Sequence, residues 1–463
     1  MQRVGLSANL SSFSGQFARV LTTLTTLTTM GIEPISGFPE HLPADCLAEQ
    51  RLIDQIKRQY ELFGFTPLET SAVERLEVLR AKGDMARQIY SLHRPAEDDM
   101  PTDLGLHFDL TVPLARYVVQ NSGQLQFPFR RYQIQKVWRG ERAQKGRFKE
   151  FYQCDIDIVG RNSLDPLNDA ECVAAIQHVF SALQVPGAVI HISDRRIWAG
   201  FSEHFALTPE QLTQLLGILD KTHKIGVGKV RAELAAQGFP AVCVETAIEL
   251  IRADSIEAAR SILERQGIPD TGLELLAATI QAAVAFGCPA TALRPDFSIA
   301  RGLDYYTGTV VETFITGFED WGSVCSGGRY DDLAAFFGGQ KYPGVGVSIG
   351  LSRLFSLMKK QGWLDSQQAT PARVTMLNRD QFLQQYLELA KNLRQGGIPT
   401  EVFVERKKGL GDQLAYAARK GLPYAIIAAE NEFNRGVVKL KDLRAQQESE
   451  VPLSELVERL RLE

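Results

Sequence analysis

The 463-residue chain has six cysteines without a CxxC pair and seven histidines without an HxxxH or HExxH pattern. This spacing argues against a disulfide framework or a zinc site, and predicts reduced thiols in a cytoplasmic protein with no protein-held metal. No run is long and apolar enough to span a bilayer. A basic surplus is missing too: the net charge is −4, which excludes non-specific nucleic-acid binding by the whole surface but allows a local basic site. The first 29 residues lack Asp and Glu, carry only Arg3 and Arg19, and contain LTTLTTLTT. That composition fits a transit peptide or, the favoured reading, a non-native extension ahead of Met30. Residues 1–30 are therefore set aside as an atypical leader.

What is present concentrates in residues 130–160, RRYQIQKVWRGERAQKGRFKEFYQCDIDIVG. Stretches 132–138 and 150–159 both alternate as half-buried strands do. GERAQKGR between them holds Gly140 and Gly146, which predicts a hairpin with a long polar loop. Residues 130–149 carry eight Arg or Lys against one acid, Glu141, in a chain that is acidic overall. On the second strand Phe151, Gln153, Asp155, Asp157 and Val159 share a face. The pattern predicts a floor that binds something anionic at one end and something cationic at the other; a solvated, charge-laced hairpin is the alternative.

The length calls for two or three domains. A helix is predicted from 46 to about 62, capped by Asp45, with Ile53, Ile56, Tyr60 and Phe63 on one face and Gly64 at its end. FTPLET follows as a short extended run broken by Pro67. GLHFDLTVPLARYVV predicts a strand running to Thr111, with Asp109 and Thr111 on one polar face, then a helix that Pro113 opens. Residues 208–286 read as almost wholly helical, an insertion into a β-rich domain. Sheet character returns at FSIARGLDYYTGTVVETFI, where Arg301, Tyr305 and Tyr306 surround a turn. CSGGRYDDL follows, then GVGVSIGLSRLF, a strand running into a helix with Arg353 in its first turn. An arginine there opposes the helix dipole unless an anion sits beside it. The polar stretch 363–372 predicts a linker to a small α/β domain with a mostly parallel sheet.

These residues carry a resemblance. WRGERAQKGRFKEF is similar to motif 2 of class II aminoacyl-tRNA synthetases, the helix ending in FGFTPLET to motif 1, and GVGVSIGLSRL to motif 3. RGLDYYTGTVVE and SGGRYDDL resemble the two histidine motifs of the histidyl-tRNA synthetase family. The resemblance covers about residues 31–463. It implies an α+β fold: a six-stranded antiparallel sheet with flanking helices in a catalytic domain over 31–365, a helical insertion at about 195–290, and an α/β anticodon-binding domain over 371–463. It also implies a homodimer that makes histidyl-adenylate from L-histidine and ATP and then charges tRNA(His).

By the same resemblance, Arg139 holds the α-phosphate, Glu141 the adenine or ribose side, and Arg147 and Arg353 the γ-phosphate. Arg301 faces Arg139 across the reacting phosphorus. Asp157 and Tyr306 contact the imidazole and Tyr305 lines the pocket, while Asp109, Leu110, Thr111 and Gln153 surround the α-amino end. Mg2+ is expected with ATP, held by phosphates and water near an acid such as Glu141. Two departures stand out: FDLTVP replaces the RPEGT of many bacterial members, and Ala143 replaces the usual proline of motif 2. A catalytically silent paralogue, similar to the regulatory subunit of ATP phosphoribosyltransferase, and a synthetase-like RNA-binding protein are the rival functions.

Overall fold

The computed structural model describes residues 32–462 apart from 82–86, 95–101, 300–305, 378–379 and 406–407. Its largest element is an eight-stranded sheet. Numbered along the chain, the strands are β1 (Thr66–Pro67), β2 (Phe129–Trp138), β3 (Glu150–Val159) and β4 (Ala188–Asp194). They continue with β5 (Leu293–Pro295), β6 (Thr309–Ile315), β7 (Cys325–Tyr330) and β8 (Gly344–Gly350). The spatial order is β1-β2-β3-β8-β7-β6-β4-β5. Six strands were expected, all antiparallel, and the six interior strands do pair that way. The correction lies at the edges, where two- and three-residue strands add parallel pairs to β2 and β4. Strands that short carry no periodicity of their own.

The two faces of this sheet differ in chemistry. One cross-strand row reads Ile134, Cys154, Ile349, Cys325, Thr313, Ile190. It is covered by helices α1 (Pro43–Leu62) and α3 (Leu167–Ala182), whose Ile56, Tyr60, Ile176 and Val179 belong to the same core. The row on the opposite face reads Gln133, Asp155, Ser348, Ser326, Glu312, His191. Alternation sorts one sequence into both faces, and the buried members of the polar row, Gln133 and Asp155, are tolerable only where hydrogen bonds or a ligand answer them.

Local readings fare unevenly. α1 starts earlier than expected: Leu42 is its N-cap and Pro43 its first residue, so Asp45 lies inside the first turn. The Asp45 carboxylate instead meets Lys359 at 2.6 Å, on α4 (Leu351–Gln361). The strand expected up to Thr111 stops at Leu106, and helix α2 (Thr111–Asn121) begins where the polar face was expected. Asp109 accepts the Val112 N–H at 3.1 Å, so Asp109 turns the chain into the helix and shares no strand face with Thr111. Between β4 and β5 the chain is helical from Arg195–His204 to Thr271–Ala285.

A separate core, with Val374, Met376, Tyr386, Leu393 and Ile426, organises the C-terminal residues. Its five strands are Val374–Met376, Thr400–Val402, Tyr424–Ile427, Val437–Asp442 and Gln447–Pro452. The first three pair in parallel and the last two add antiparallel pairs, so the sheet is mixed where a mostly parallel one was expected. The difference arises because VVKLKDL turns back as a hairpin, which needs no crossover helix.

Candidate active site

The hairpin loop between β2 and β3 folds back over the polar face. Arg139 donates its backbone N–H to Lys149 at 2.8 Å, closing the loop base. Gln144 and Arg147 exchange both backbone hydrogen bonds at 3.1 and 2.9 Å, forming a tight tip. The result is a cavity of about 230 Å³ lined by Arg139, Glu141, Arg147, Gln153, Ser348 and Arg353, among others.

Arg139 and Arg353 are fixed from behind. Arg139 donates through Nε to the Phe108 carbonyl at 2.9 Å and lies over the Phe151 ring, 5.1 Å from its centroid. Arg353 donates through Nε to the Gly146 carbonyl at 3.0 Å and through Nη1 to the Ser323 carbonyl. Burial, then the charges of Arg147 and Arg139, push the Arg353 guanidinium below its usual range. Three like charges thus face one space, which an anion would relieve. Glu141 sits at 3.7 Å from Arg147, an open pair too long and exposed to neutralise the cleft.

Beyond Gln153 the floor changes sign. Asp157 is buried, with Oδ2 at 2.5 Å from Arg131 Nη2 and Oδ1 accepting from the Tyr330 hydroxyl at 2.7 Å. Arg131 is fully buried and reaches the Leu110 carbonyl at 3.4 Å. Leu110 therefore meets this network through its main chain, while its side chain is in the core. An ionised carboxylate has four lone-pair directions, so Asp157 keeps acceptor capacity after both contacts. Burial pushes the Asp155 carboxyl up to about 7, partly offset by Arg131.

Two glycines make room here. A Cβ on Gly346, opposite Asp157, would fall 1.9 Å from its Oδ1. One on Gly328, the next residue across, would fall 3.0 Å from the Tyr306 ring. Tyr306 packs with Tyr330 and Val159 at this end of the floor.

The structure thus gathers Arg139, Glu141, Arg147, Arg353 and Gln153 around one cleft, and Asp109, Leu110, Asp157 and Tyr306 around or beside the buried acids. Thr111 opens α2 beside Leu110. Arg301 and Tyr305 lie outside the described residues. Sequence reasoning missed Arg131, Ser348 and Tyr330. Arg131 was legible only as a member of a basic run; its pairing with Asp157 across β2 and β3 follows once the register is known. It also missed that Asp169 and Arg329 are tied at 2.7 Å, bracing the SGGRY strand against α3. For a divalent cation, the described residues hold no cluster of three or more His, Cys, Asp or Glu. A partly exposed Glu141 at the cleft suits an ion that arrives on phosphates and keeps its waters.

Comparison with known proteins adds to this geometry. The family described as Histidyl-tRNA synthetase matches residues 37–354, and the Anticodon binding domain family matches 372–463. The histidine–tRNA ligase of Stenotrophomonas maltophilia (strain K279a) is 43% identical, over 92% of this chain and 97% of its own length. The crystal structure of histidyl-tRNA synthetase from Nostoc sp. PCC 7120 superposes with a TM-score of 0.85 at 39% identity, covering 94% of this chain and 100% of that one. A Bacillus halodurans protein described as an ATP phosphoribosyltransferase regulatory subunit/histidyl-tRNA synthetase shares the fold, with a TM-score of 0.70 at 19% identity, over 85% of this chain and 97% of its own.

Proposed function

The chain belongs to the histidyl-tRNA synthetase family, and from that premise we propose how its floor divides the work. The enzyme activates L-histidine with ATP to histidyl-adenylate and transfers histidine to the 3′ end of tRNA(His). The observation that carries the residue assignment is the convergence of Arg139, Arg147 and Arg353 on one cleft whose floor runs into buried acids.

Attack of the histidine carboxylate on the α-phosphate places added negative charge around phosphorus, so fixed cations and correct placement supply most of the catalysis. Arg139 grips the α-phosphate with the N–H groups its carbonyl contact leaves outward. Arg147 and Arg353 hold the γ-phosphate, and Glu141 the adenine or ribose side. By the family resemblance, Arg301 is assigned to the same α-phosphate as Arg139. Asp157 and Tyr306 read the imidazole, with Tyr305 lining the slot. Asp109, the Leu110 main chain, Thr111 and Gln153 surround the α-amino group. Asp157 is pre-aimed by Arg131 and Tyr330, so a ring lacking N–H donors would leave buried acceptors unanswered. Mg2+ carried on ATP near Glu141 would neutralise phosphate charge.

We assign residues 31–365 to catalysis, with the helical insertion at about 195–290, and 371–463 to the anticodon. We further propose a homodimer joined through the motif 1 region around α1, working in the cytoplasm; sedimentation of the purified chain tests the dimer. Arg301→Ala should lower histidine-dependent exchange of pyrophosphate into ATP on the order of 10²-fold. Exchange at near wild-type rate would remove Arg301 from the mechanism.

A further inference from the structure

One acid on the floor has no place in the assignment above. Asp155 lies between Gln153 and Asp157 on β3, facing the same way, and is 3% exposed. Its cross-strand neighbours are Gln133 on β2 and Ser348 on β8. Ser348 Oγ accepts from Gln153 Nε2 at 2.7 Å, and its single proton goes to Asp155, with which it is hydrogen-bonded. This arrangement leaves two acceptors, Asp155 Oδ1 and Gln153 Oε1, buried with no hydrogen-bond partner among the described residues. Arg131 does not answer them: its two Nη atoms are committed to Asp157, Gln133 Oε1 and the Leu110 carbonyl, and its Nε, also buried, makes no hydrogen bond to either oxygen.

Buried acceptors without donors are costly, and native sites keep them where a ligand supplies the donors. Two such oxygens on successive same-face residues, one of them a carboxylate, match a group with several N–H donors and a positive charge. A primary ammonium has three donors and one charge. Charge points the same way: burial, then Asp157 and Asp109, push the Asp155 carboxyl up against the opposing pull of Arg131 and Ser348. Asp157 differs in that each of its oxygens already holds one partner, and its remaining acceptor capacity is the part assigned to the imidazole.

We propose that Asp155 Oδ1, together with Gln153 Oε1, receives the α-ammonium of the amino-acid substrate, making Asp155 the group that selects amino acids over their deaminated analogues. The proposal rests on the assignment of histidine to this end of the floor. Gln153 and Ser348 line the cleft, so the ammonium would sit where the carboxylate it carries points toward the arginines.

The test uses the full chain and two probes: histidinol, which has the ammonium, and 3-(imidazol-4-yl)propan-1-ol, which lacks it. Calorimetric titration should show wild type preferring histidinol by on the order of 10- to 100-fold, the scale of one charge-assisted hydrogen bond. Asp155→Asn should lose most of that preference while binding of the deaminated alcohol changes by less than about threefold. A preference retained in Asp155→Asn overturns the proposal. Wild type that binds neither probe overturns the histidine assignment itself. Ser348→Ala keeps the carboxylate and so should keep the preference even if Asp155→Asn does not fold; its loss in Ser348→Ala would point to a structural role for the pair and also overturn the proposal.

Discussion

The two ends of the floor solve opposite problems by opposite means. At the proposed phosphate end, cations of one sign are gathered on a solvated loop and a helix start, with Arg139 and Arg353 each held by a carbonyl at its back. At the proposed amino-acid end, acids are buried in strands and held by a buried arginine and a buried tyrosine. The first end is open, so water moderates its repulsion until ATP arrives. The second is dry, so its charges must be partly paired in advance, and whatever stays unpaired becomes selective. A large polyanion can be gripped by several half-exposed guanidiniums; one small imidazole needs a slot already built.

Substitutions at each end sharpen that contrast. If Arg139 grips the reacting phosphate as proposed, Arg139→Ala removes a preorganised donor from it and should lower pyrophosphate exchange by about 10²- to 10³-fold. Urea unfolding should scarcely change, because among the described residues this side chain reaches one carbonyl and a ring face. Gly346→Ala at the other end forces the Asp157 carboxylate aside. Its expected signature in exchange kinetics is a rise of roughly tenfold in KM for histidine, the scale of overpacking, with KM for ATP nearly unchanged. Equal rises in both would mean the two ends are not separable.

A pH series tests the dry end without substrate. In the fold the Asp155 carboxyl sits at about 7, above its ordinary 3.8, with burial as the main cause. The folded state therefore holds this proton more tightly than the unfolded chain. Its contribution to stability is full below about pH 4 and is lost as pH rises through about 7. Asp155→Asn has nothing to titrate there, so relative to wild type it should gain stability across pH 4–7, by up to about 4 kcal/mol at pH 8 in urea unfolding, the equivalent of a carboxyl raised from 3.8 to about 7. A constant difference across that window would mean Asp155 is charged throughout. The smallest effect is expected at the wet end: Arg147, half exposed beside Glu141, should on replacement by Ala raise KM for ATP only a few-fold.

The wet end was also the more legible in the sequence. Basic residues crowding a glycine-flanked loop point outward whatever the register, so Arg139 and Arg147 could be read from the sequence. The helix-start position of Arg353 signalled an anion without any tertiary knowledge. The dry end depended on pairing. Nothing local distinguishes Arg131 from its basic neighbours; only its place opposite Asp157 buries it. Asp109 and Thr111 looked like a strand face because alternation cannot distinguish a short strand from a capped helix start. The parallel edge strands were hidden by length, and the first residue of α1 by a proline that competes with Asp45 for the helix start.

The division of the floor is tested most directly by a crossed kinetic comparison: KM for histidine and KM for ATP in pyrophosphate exchange, for Asp157→Asn and Arg353→Ala side by side. The account predicts that Asp157→Asn raises KM for histidine by on the order of tenfold or more and leaves ATP nearly alone, while Arg353→Ala does the reverse. Both variants raising both constants by the same factor would contradict it.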